Sequence, residues 1–211
     1  IYHALVPETR LSIPFTKRLI NNELYTPSKP SRLIVSVEQG VLSTIYEKYD
    51  NTYLNSDGSR NSYDGVNWSS HINSLMLISL GFAVSDRVCL RISAGYEGIH
   101  DGARDIPLTL GALYAPGRLF SGNMTVFADA GAGFSGSASR TNDFISRIGF
   151  GRRIALGNGR KSLDLNLSAV AAYYKPDSII SKYSGEIISG NDILDSGSWI
   201  IGPMLTFAFN I

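Results

Sequence analysis

The chain has 211 residues, a net charge of +1 and 18% charged residues, a size that fits one domain or a small pair. The balanced charge gives no field that would attract nucleic acid, and the single cysteine excludes an internal disulfide and a cysteine metal cluster. No cofactor or metal site is predicted. No apolar run reaches about 18 residues, so no transmembrane helix is predicted either.

The first 31 residues have no regular hydrophobic period and end in the stretch TPSKPS, whose Pro, Ser and Lys content is typical of a linker. We therefore predict two units: an N-terminal segment of unknown role over residues 1–31, and a folded domain over residues 32–211. The chain starts at Ile1 without a methionine, and a signal peptide is expected to have been removed before this point.

From Arg32 onward the dominant hydrophobic period is two. Leu, Ile, Val, Phe and Ala occupy one parity of each segment, and small or polar residues occupy the other. Strict alternation of this kind predicts β-strands that have one apolar and one polar face. The eight predicted strands lie in RLIVSVEQGVLSTIY, SLMLISLGFAV, VCLRISAGYEG, DIPLTLGALY, MTVFADAGAGF, FISRIGFGRRI, LDLNLSAVAAY and GPMLTFAFNI.

The connections between these strands differ in length on the two sides. Two connections are long, EKYDNTYLNSDGSRNSYDGVNWSS and KPDSIISKYSGEIISGNDILDSGS, whereas SDR and GNGRK are short turns. If neighbouring strands alternate in direction, both long connections fall on the same side. Closure of the first strand onto the last would make them neighbours. The pattern predicts an all-β fold, an eight-stranded antiparallel up-and-down barrel with two long loops at one end.

A soluble lipocalin-like barrel or a β-sandwich would also alternate, with its apolar face inside. Two observations favour a transmembrane barrel instead. The apolar face carries almost no charge, as contact with lipid demands. The other face is rich in glycine, which suits a narrow interior shared with a few long side chains. These glycines are Gly40, Gly81, Gly95, Gly111, Gly131, Gly133, Gly149, Gly151 and Gly202.

The alternation, the loop asymmetry and the apolar final strand resemble the small eight-stranded outer-membrane barrels of the OmpA/OmpX type. Strands such as DIPLTLGALY are similar to barrels of Bacteroidota-type bacteria, although Ile211 stands where that family more often ends in Phe. The resemblance covers residues 32–211. It implies a bacterial outer-membrane location, periplasmic short turns, a periplasmic N-terminal segment, and contact with outer-membrane lipid, lipopolysaccharide and other outer-membrane proteins.

Charged side chains also occur on the glycine-rich face, which an eight-stranded barrel turns toward a lumen just wide enough to be filled by side chains. We predict one lumen charge network that fills the interior, and the alternative is a proton or ion path. The network residues are Glu38, Arg91, Glu97, Asp129 and Arg147, and the further inward charges are Asp105, Arg153 and Asp164.

The two long loops are rich in aromatic and aliphatic residues, which are enriched in protein interfaces. We predict that they form a joint partner surface, and that IISKYSGEII extends the sheet as a hairpin. Part of this aromatic set fits an interfacial girdle, and carbohydrate binding is the less favoured alternative. The predicted surface residues are Tyr49, Tyr53, Trp68, Ile179, Ile180 and Tyr183.

An enzymatic alternative comes from His71 beside Ser69 and Ser70, with His100 and Asp101 in the next outer loop. Some eight-stranded barrels are lipid A-modifying acyl enzymes with such a set near the rim, where nucleophile and base must come within hydrogen-bond reach. Ser, His and Asp are common in loops, so we predict no catalytic residues. The predicted function is a non-enzymatic structural or accessory subunit of a larger outer-membrane complex. The alternatives are a lipid hydrolase or acyltransferase at the rim, and a narrow channel.

Overall fold

A computed structural model describes residues 32–100, 103–117, 119, 123–135, 143–156, 161–176, 178–181 and 185–211. The N-terminal segment 1–31 and Tyr183 lie outside the described residues. Twelve strands and one short 3-10 helix, Gly190–Asp192, are found in the part that is described. The strands are β1 Leu33–Thr44, β2 Tyr46–Leu54, β3 Arg60–Asn67, β4 His71–Ala83, β5 Val88–His100, β6 Ala103–Tyr114, β7 Met124–Ser135, β8 Asp143–Ala155, β9 Ser162–Tyr174, β10 Ser178–Ile180, β11 Ile187–Ser189 and β12 Ile193–Asn210.

Eight of these strands close into a barrel. The order is β1-β4-β5-β6-β7-β8-β9-β12, each pair is antiparallel, and β12 returns to pair with β1. The closing seam runs to the end of the chain, since Val35 and Ile211 exchange backbone hydrogen bonds of 3.1 and 2.9 Å. Closure leaves no free edge along this seam. The predicted closed eight-stranded antiparallel barrel is therefore confirmed.

The first long connection is a β-hairpin, so its prediction as a loop was wrong. Only Ile45 separates β1 from β2, and the long strand β12 pairs with both: with β2 from Ile193 to Ile201, and with β1 from Met204 to Asn210. β3 then pairs with β2. The turn between them contains Gly58 at φ +81°, a conformation that glycine adopts without steric cost. The barrel wall is thus extended beyond β1.

The second long connection forms a small hairpin of its own. β10 and β11 make a separate two-stranded sheet rather than extending the large one. This hairpin contacts the first: Tyr63 donates a hydrogen bond of 2.8 Å to the carbonyl of Ile180, and the hydroxyls of Tyr53 and Ser181 lie 3.1 Å apart. The two long connections are neighbours, as predicted. The barrel end that bears β2, β3, β10 and β11 is called the hairpin end below, and the opposite one is called the turn end.

The barrel is apolar outside and polar inside. Side chains of the parity predicted to be apolar face outward, and six of them have exposures from 43% to 68%: Leu80, Ile92, Leu110, Ile148, Leu167 and Phe207. Charged residues of the opposite parity are buried, among them Glu38, Asp129 and Arg147. Across the described ranges, no helix combines the length and apolar character needed to cross a membrane.

Candidate functional site: the filled lumen and the paired hairpins

A continuous chain of ion pairs crosses the lumen. Arg91 donates two hydrogen bonds, of 2.7 and 2.6 Å, to the two carboxylate oxygens of Asp129. Arg147 donates from Nε to the same carboxylate at 2.6 Å, and from both terminal nitrogens to Glu38 at 3.0 Å each. Such charge-assisted, bidentate contacts are the strong form of hydrogen bond. Four of the five predicted network residues are therefore joined directly.

The register of the sheet explains why these side chains meet. Arg91 on β5 lies opposite Gly111 on β6, Gly111 lies opposite Asp129 on β7, and Asp129 lies opposite Arg147 on β8. Because Gly111 has no side chain, the Asp129 carboxylate occupies the place that a Cβ at position 111 would take. Arg147 then reaches across the lumen to Glu38 on β1. Charged residues and a glycine on four neighbouring strands thus form one packed row across the sheet.

The network contains equal numbers of positive and negative charges and is in contact with Phe127 and Thr206. Two guanidinium groups face two carboxylates, and the ring of Phe127 lies 4.8 Å from the Arg91 guanidinium carbon and 5.4 Å from that of Arg147. Thr206 donates a further short hydrogen bond to Glu38. Buried charges persist only when paired and hydrogen-bonded. The arrangement therefore fits an interior that is held together by its charges.

Glu97 does not take part in this chain. It lies on the same strand as Arg91 but nearer the hairpin end, opposite Asp105 of β6. Its side chain is buried, and its Oε1 atom has no hydrogen-bond partner among the described residues. The alternation correctly predicts that Glu97 points inward. The alternation alone carries no information on how far a side chain lies along the barrel axis.

A second ion pair seals the turn end. Arg153 makes two hydrogen bonds to Asp164, of 2.8 and 2.5 Å, and donates a short one to the carbonyl of Leu119. The Leu119 side chain comes from the connection between β6 and β7 and is almost fully buried. It belongs to an apolar cluster with Ile34, Ala83, Cys89, Leu113, Ala115 and Phe127. This lumen-capping role of the β6–β7 connection was missed, because its residues follow no strand period.

Apolar side chains fill the part of the lumen that lies between the charge network and the hairpin end. One cluster joins residues of four strands: Leu42, Leu75, Leu77, Val170 and Met204. Another is formed by Ile145, Ala172, Tyr174 and Ile200, and Tyr174 donates a hydrogen bond of 2.9 Å to Glu47. The alternation predicts an inward face of small or polar residues, and these apolar side chains depart from that pattern. The parity of these residues was sufficient to place them inside, since each stands an even number of positions from an inward neighbour.

At the hairpin end, the predicted partner surface is partly buried by contacts within the chain. Tyr63 packs edge-on against Tyr49 and Tyr53, with ring centroids 5.8 and 5.9 Å apart. Partial burial raises the pKa of the Tyr63 phenol. Tyr53 and Ile179 are buried where the two hairpins meet. Neither can face a partner protein, so their assignment to an open surface was wrong.

Other members of the predicted surface remain accessible. Trp68 is 74% exposed and Ile180 is 65% exposed, and Trp68 contacts the ring of Tyr46 edge-on at 5.0 Å. A contiguous exposed apolar patch marks an interaction site, whereas single exposed apolar residues are common on any surface. The accessible part of the surface is therefore smaller than predicted.

The residues of the enzymatic alternative are only partly described. The Ser70 hydroxyl lies 3.3 Å from the Ser43 hydroxyl, and His71 lies opposite Thr44 in the β1–β4 register. The side chain of His100 and all of Asp101 lie outside the described residues, so this catalytic set stays an untested alternative. In the described ranges, no group of three or more His, Cys, Asp or Glu side chains is arranged to hold a metal ion.

No family model and no curated protein matches the sequence. Among solved structures, the chain is similar to the outer membrane protein OprG from Pseudomonas aeruginosa, with 9% identity over 86% of this chain and 97% of that one and a TM-score of 0.44. It is also similar to the outer membrane protein AlkL in DMPC lipid bilayers (12% identity, 90% and 97% coverage, TM-score 0.36). A third similar structure is a de novo designed transmembrane β-barrel (13% identity, 85% and 98% coverage, TM-score 0.36). Values this low carry no argument about function, and the fold follows from the strand pairings described above.

Proposed function

We propose that this chain is an integral outer-membrane β-barrel protein with a side-chain-filled lumen. It acts without enzymatic chemistry, as a structural or accessory subunit of a larger outer-membrane complex. The observation that carries the proposal is the distribution of polarity across the barrel wall. Large aliphatic and aromatic side chains are exposed on the outside, while Glu38, Asp129 and Arg147 are buried within.

This distribution supports lipid as the surrounding solvent. Soluble proteins rarely expose a contiguous apolar patch larger than a few hundred Å². Here exposed apolar side chains occur on the outward face of all eight barrel strands, from Val37 on β1 to Phe207 on β12. Burying apolar area is worth roughly 25 cal/mol per Å², so leaving such a belt in water would be costly. By analogy with known outer-membrane barrels, the turn end would lie in the periplasm and the hairpin end outside.

A filled lumen supports a role other than conduction. Along the barrel axis, Leu119 and the Arg153–Asp164 pair occupy the turn end, the Arg147 network comes next, and the cluster around Leu42 lies beyond it. Opening a pore would require breaking these contacts. A subunit role then depends on surfaces outside the lumen, of which the exposed Trp68 and Ile180 are the best candidates.

Reconstitution tests the membrane assignment. Urea-unfolded protein diluted into phospholipid vesicles should fold and become protected from protease, whereas dilution into buffer alone should give aggregate. A monomer that folds and stays soluble without lipid or detergent would overturn the assignment. Planar bilayers test the filled lumen, because the wild-type barrel should give no large, steady conductance.

Purification in mild detergent from the native membrane tests the subunit role. We expect a stoichiometric partner protein, and replacing Trp68 and Ile180 together by serine should release it. The matched control is Ser56→Ala, in the exposed turn of the β2–β3 hairpin. A monomeric barrel that hydrolyses or transfers acyl chains of lipid A would refute the non-enzymatic role and support the rim enzyme instead.

A further inference from the structure

The strand β3 has an open edge. It is the terminal strand of the large sheet and pairs only with β2. None of the described residues forms a hydrogen bond to the backbone of β3 from the other side. Each backbone N–H and C=O is an obligatory hydrogen-bonding group, and a free strand edge is a template for pairing with another extended chain.

The ladder shows which residues point to the open edge. At the hairpin turn, the backbone N–H of Asn55 donates to the carbonyl of Ser59 at 2.8 Å, so these two form a hydrogen-bonded pair. Hydrogen-bonded and non-hydrogen-bonded pairs alternate along an antiparallel ladder. Ser59 therefore directs its backbone groups toward β2, and Arg60 and every second residue after it direct their N–H and C=O away from β2. These residues are Arg60, Ser62, Asp64 and Val66.

The side chains support this assignment. Residues of a non-hydrogen-bonded pair approach each other more closely than those of a hydrogen-bonded pair. Ser62 lies opposite Thr52, and their hydroxyl oxygens are 2.8 Å apart. The four edge residues are all exposed. Three common forms of edge protection are absent, because β3 contains no proline and no lysine, and its pairing with β2 has no bulge.

Charge indicates what the edge would accept. Asp64 lies directly opposite Asp50 on β2, and both carboxylates are exposed. Like charges placed opposite each other destabilise a strand pair, so a cation at the next position across from Asp64 would relieve the repulsion. Arg60 stands four residues away on the same face and calls for an anion. Val66 favours an apolar neighbour.

We propose that the open edge of β3 binds an extended segment of a partner protein by antiparallel β-strand addition. At alternate positions, read from its N-terminus, the bound segment would carry an apolar residue opposite Val66 and a basic residue opposite Asp64. A small polar residue opposite Ser62 and an acidic residue opposite Arg60 would follow. This partner deepens the subunit role proposed above and rests on it.

A second copy of the chain fits this edge less well. Two antiparallel strands are related by a two-fold axis perpendicular to their sheet. The sheet of a transmembrane barrel stands upright in the bilayer, so this axis lies in the membrane plane. Such an axis would insert the second barrel upside down. Two copies in one membrane share the same orientation, which leaves a peptide segment of another protein as the antiparallel occupant.

Peptide binding tests the proposal. The probe is the capped peptide LTKTSTE, and the control is LTETSTK, which has the same composition with its charges exchanged. Trp68 follows β3 directly and is one of two tryptophans, so a Trp199→Phe background makes its fluorescence a local reporter. Opposite charges paired across two strands stabilise the pair and like charges destabilise it, so exchanging the two charges of the peptide changes both pairs. We expect the probe to bind about tenfold more tightly than the control.

Two variants separate edge pairing from other binding modes. Ser62→Pro removes an edge N–H without touching the β2 ladder and should weaken binding, whereas Ser62→Ala should not. Arg60→Glu combined with Asp64→Lys should make LTETSTK the preferred peptide. Equal affinities for both peptides, or a preference that survives the double exchange, would overturn the proposal. So would self-association that Ser62→Pro abolishes, because the occupant would then be a second copy. The peptide titrations can be carried out in detergent, so they do not depend on insertion into vesicles. A failure to insert into vesicles would refute the membrane assignment and would leave the peptide result unaffected.

Discussion

Replacing Arg147 by methionine should be among the most destabilising single changes in the barrel. The substitution keeps most of the side-chain volume but removes three hydrogen bonds, one to Asp129 and two to Glu38. Both acceptors are buried. Removing one partner of a buried ion pair typically costs about 3–5 kcal/mol, because a charge is left without compensation. We expect a loss of this size in the free energy of unfolding.

The structure also indicates which second change should restore stability. Without Arg147, Asp129 still holds the two hydrogen bonds from Arg91, at 2.7 and 2.6 Å. Among the described residues, Glu38 then keeps a hydrogen bond only from the hydroxyl of Thr206, which carries no charge. Adding Glu38→Gln to Arg147→Met returns the group to one cation and one anion in direct contact. Adding Asp129→Asn instead leaves Arg91 and Glu38 charged and separated.

Urea unfolding of the three variants in lipid vesicles measures this difference. The Arg147→Met/Glu38→Gln variant should recover a larger part of the lost free energy than Arg147→Met/Asp129→Asn. Each variant must first show the protease protection of the folded wild type, so that unfolding starts from the same state. Equal stabilities for the single variant and both doubles would refute a directly paired network. Greater recovery with Asp129→Asn would mean that Arg147 depends mainly on Asp129.

Three further outcomes follow from the packing. Leu110→Arg should destabilise the barrel folded in a bilayer by roughly 2–4 kcal/mol, as for a cation at the midplane of a barrel wall. Ser56→Arg in the hairpin turn should have little effect. Gly111→Ala should cost at least about 1–3 kcal/mol in urea unfolding, because its methyl group would displace the Asp129 carboxylate. Tyr53→Ala should free the β10–β11 hairpin for protease cleavage, whereas Tyr53→Phe should leave it protected.

The alternation of side chains was enough to predict the barrel and the inward or outward direction of the side chains in its eight predicted strand segments. A strand has a period of two, so one correct inward residue fixes the direction of all its neighbours. Arg91, Asp129 and Arg147 could be placed in the lumen on this basis alone. Their contact depended on Gly111, whose place between Arg91 and Asp129 follows from the register of three strands.

The hairpin end was harder to predict because its strands lack an apolar face. β2 and β3 read YEKYDNTYL and RNSYDGVN, and neither alternates in hydrophobicity. β3 alternates in exposure, whereas β2 has three consecutive buried residues, Asn51–Tyr53. The Asp-Gly turn between them was the available signal. The burial of Tyr53 could not be read from the sequence, since it depends on a contact with Ser181, 128 positions away. Glu97 was grouped with the network for a related reason: parity gives the face of a residue and not its depth in the lumen.

The filled lumen and the open edge of β3 together narrow where this protein can interact. Side chains occupy the interior through the Arg153–Asp164 pair, the Arg147 network and the apolar clusters, so a ligand cannot enter without displacing a buried charge or a packed apolar group. The outward belt matches lipid and is largely apolar. Among the described residues, the hairpin end then offers both exposed aromatic surface and unpaired backbone groups, at Trp68 and along β3. A barrel whose only purpose was to span the bilayer would need neither. For this reason the β2–β3 hairpin is where a change should affect partner binding without affecting insertion.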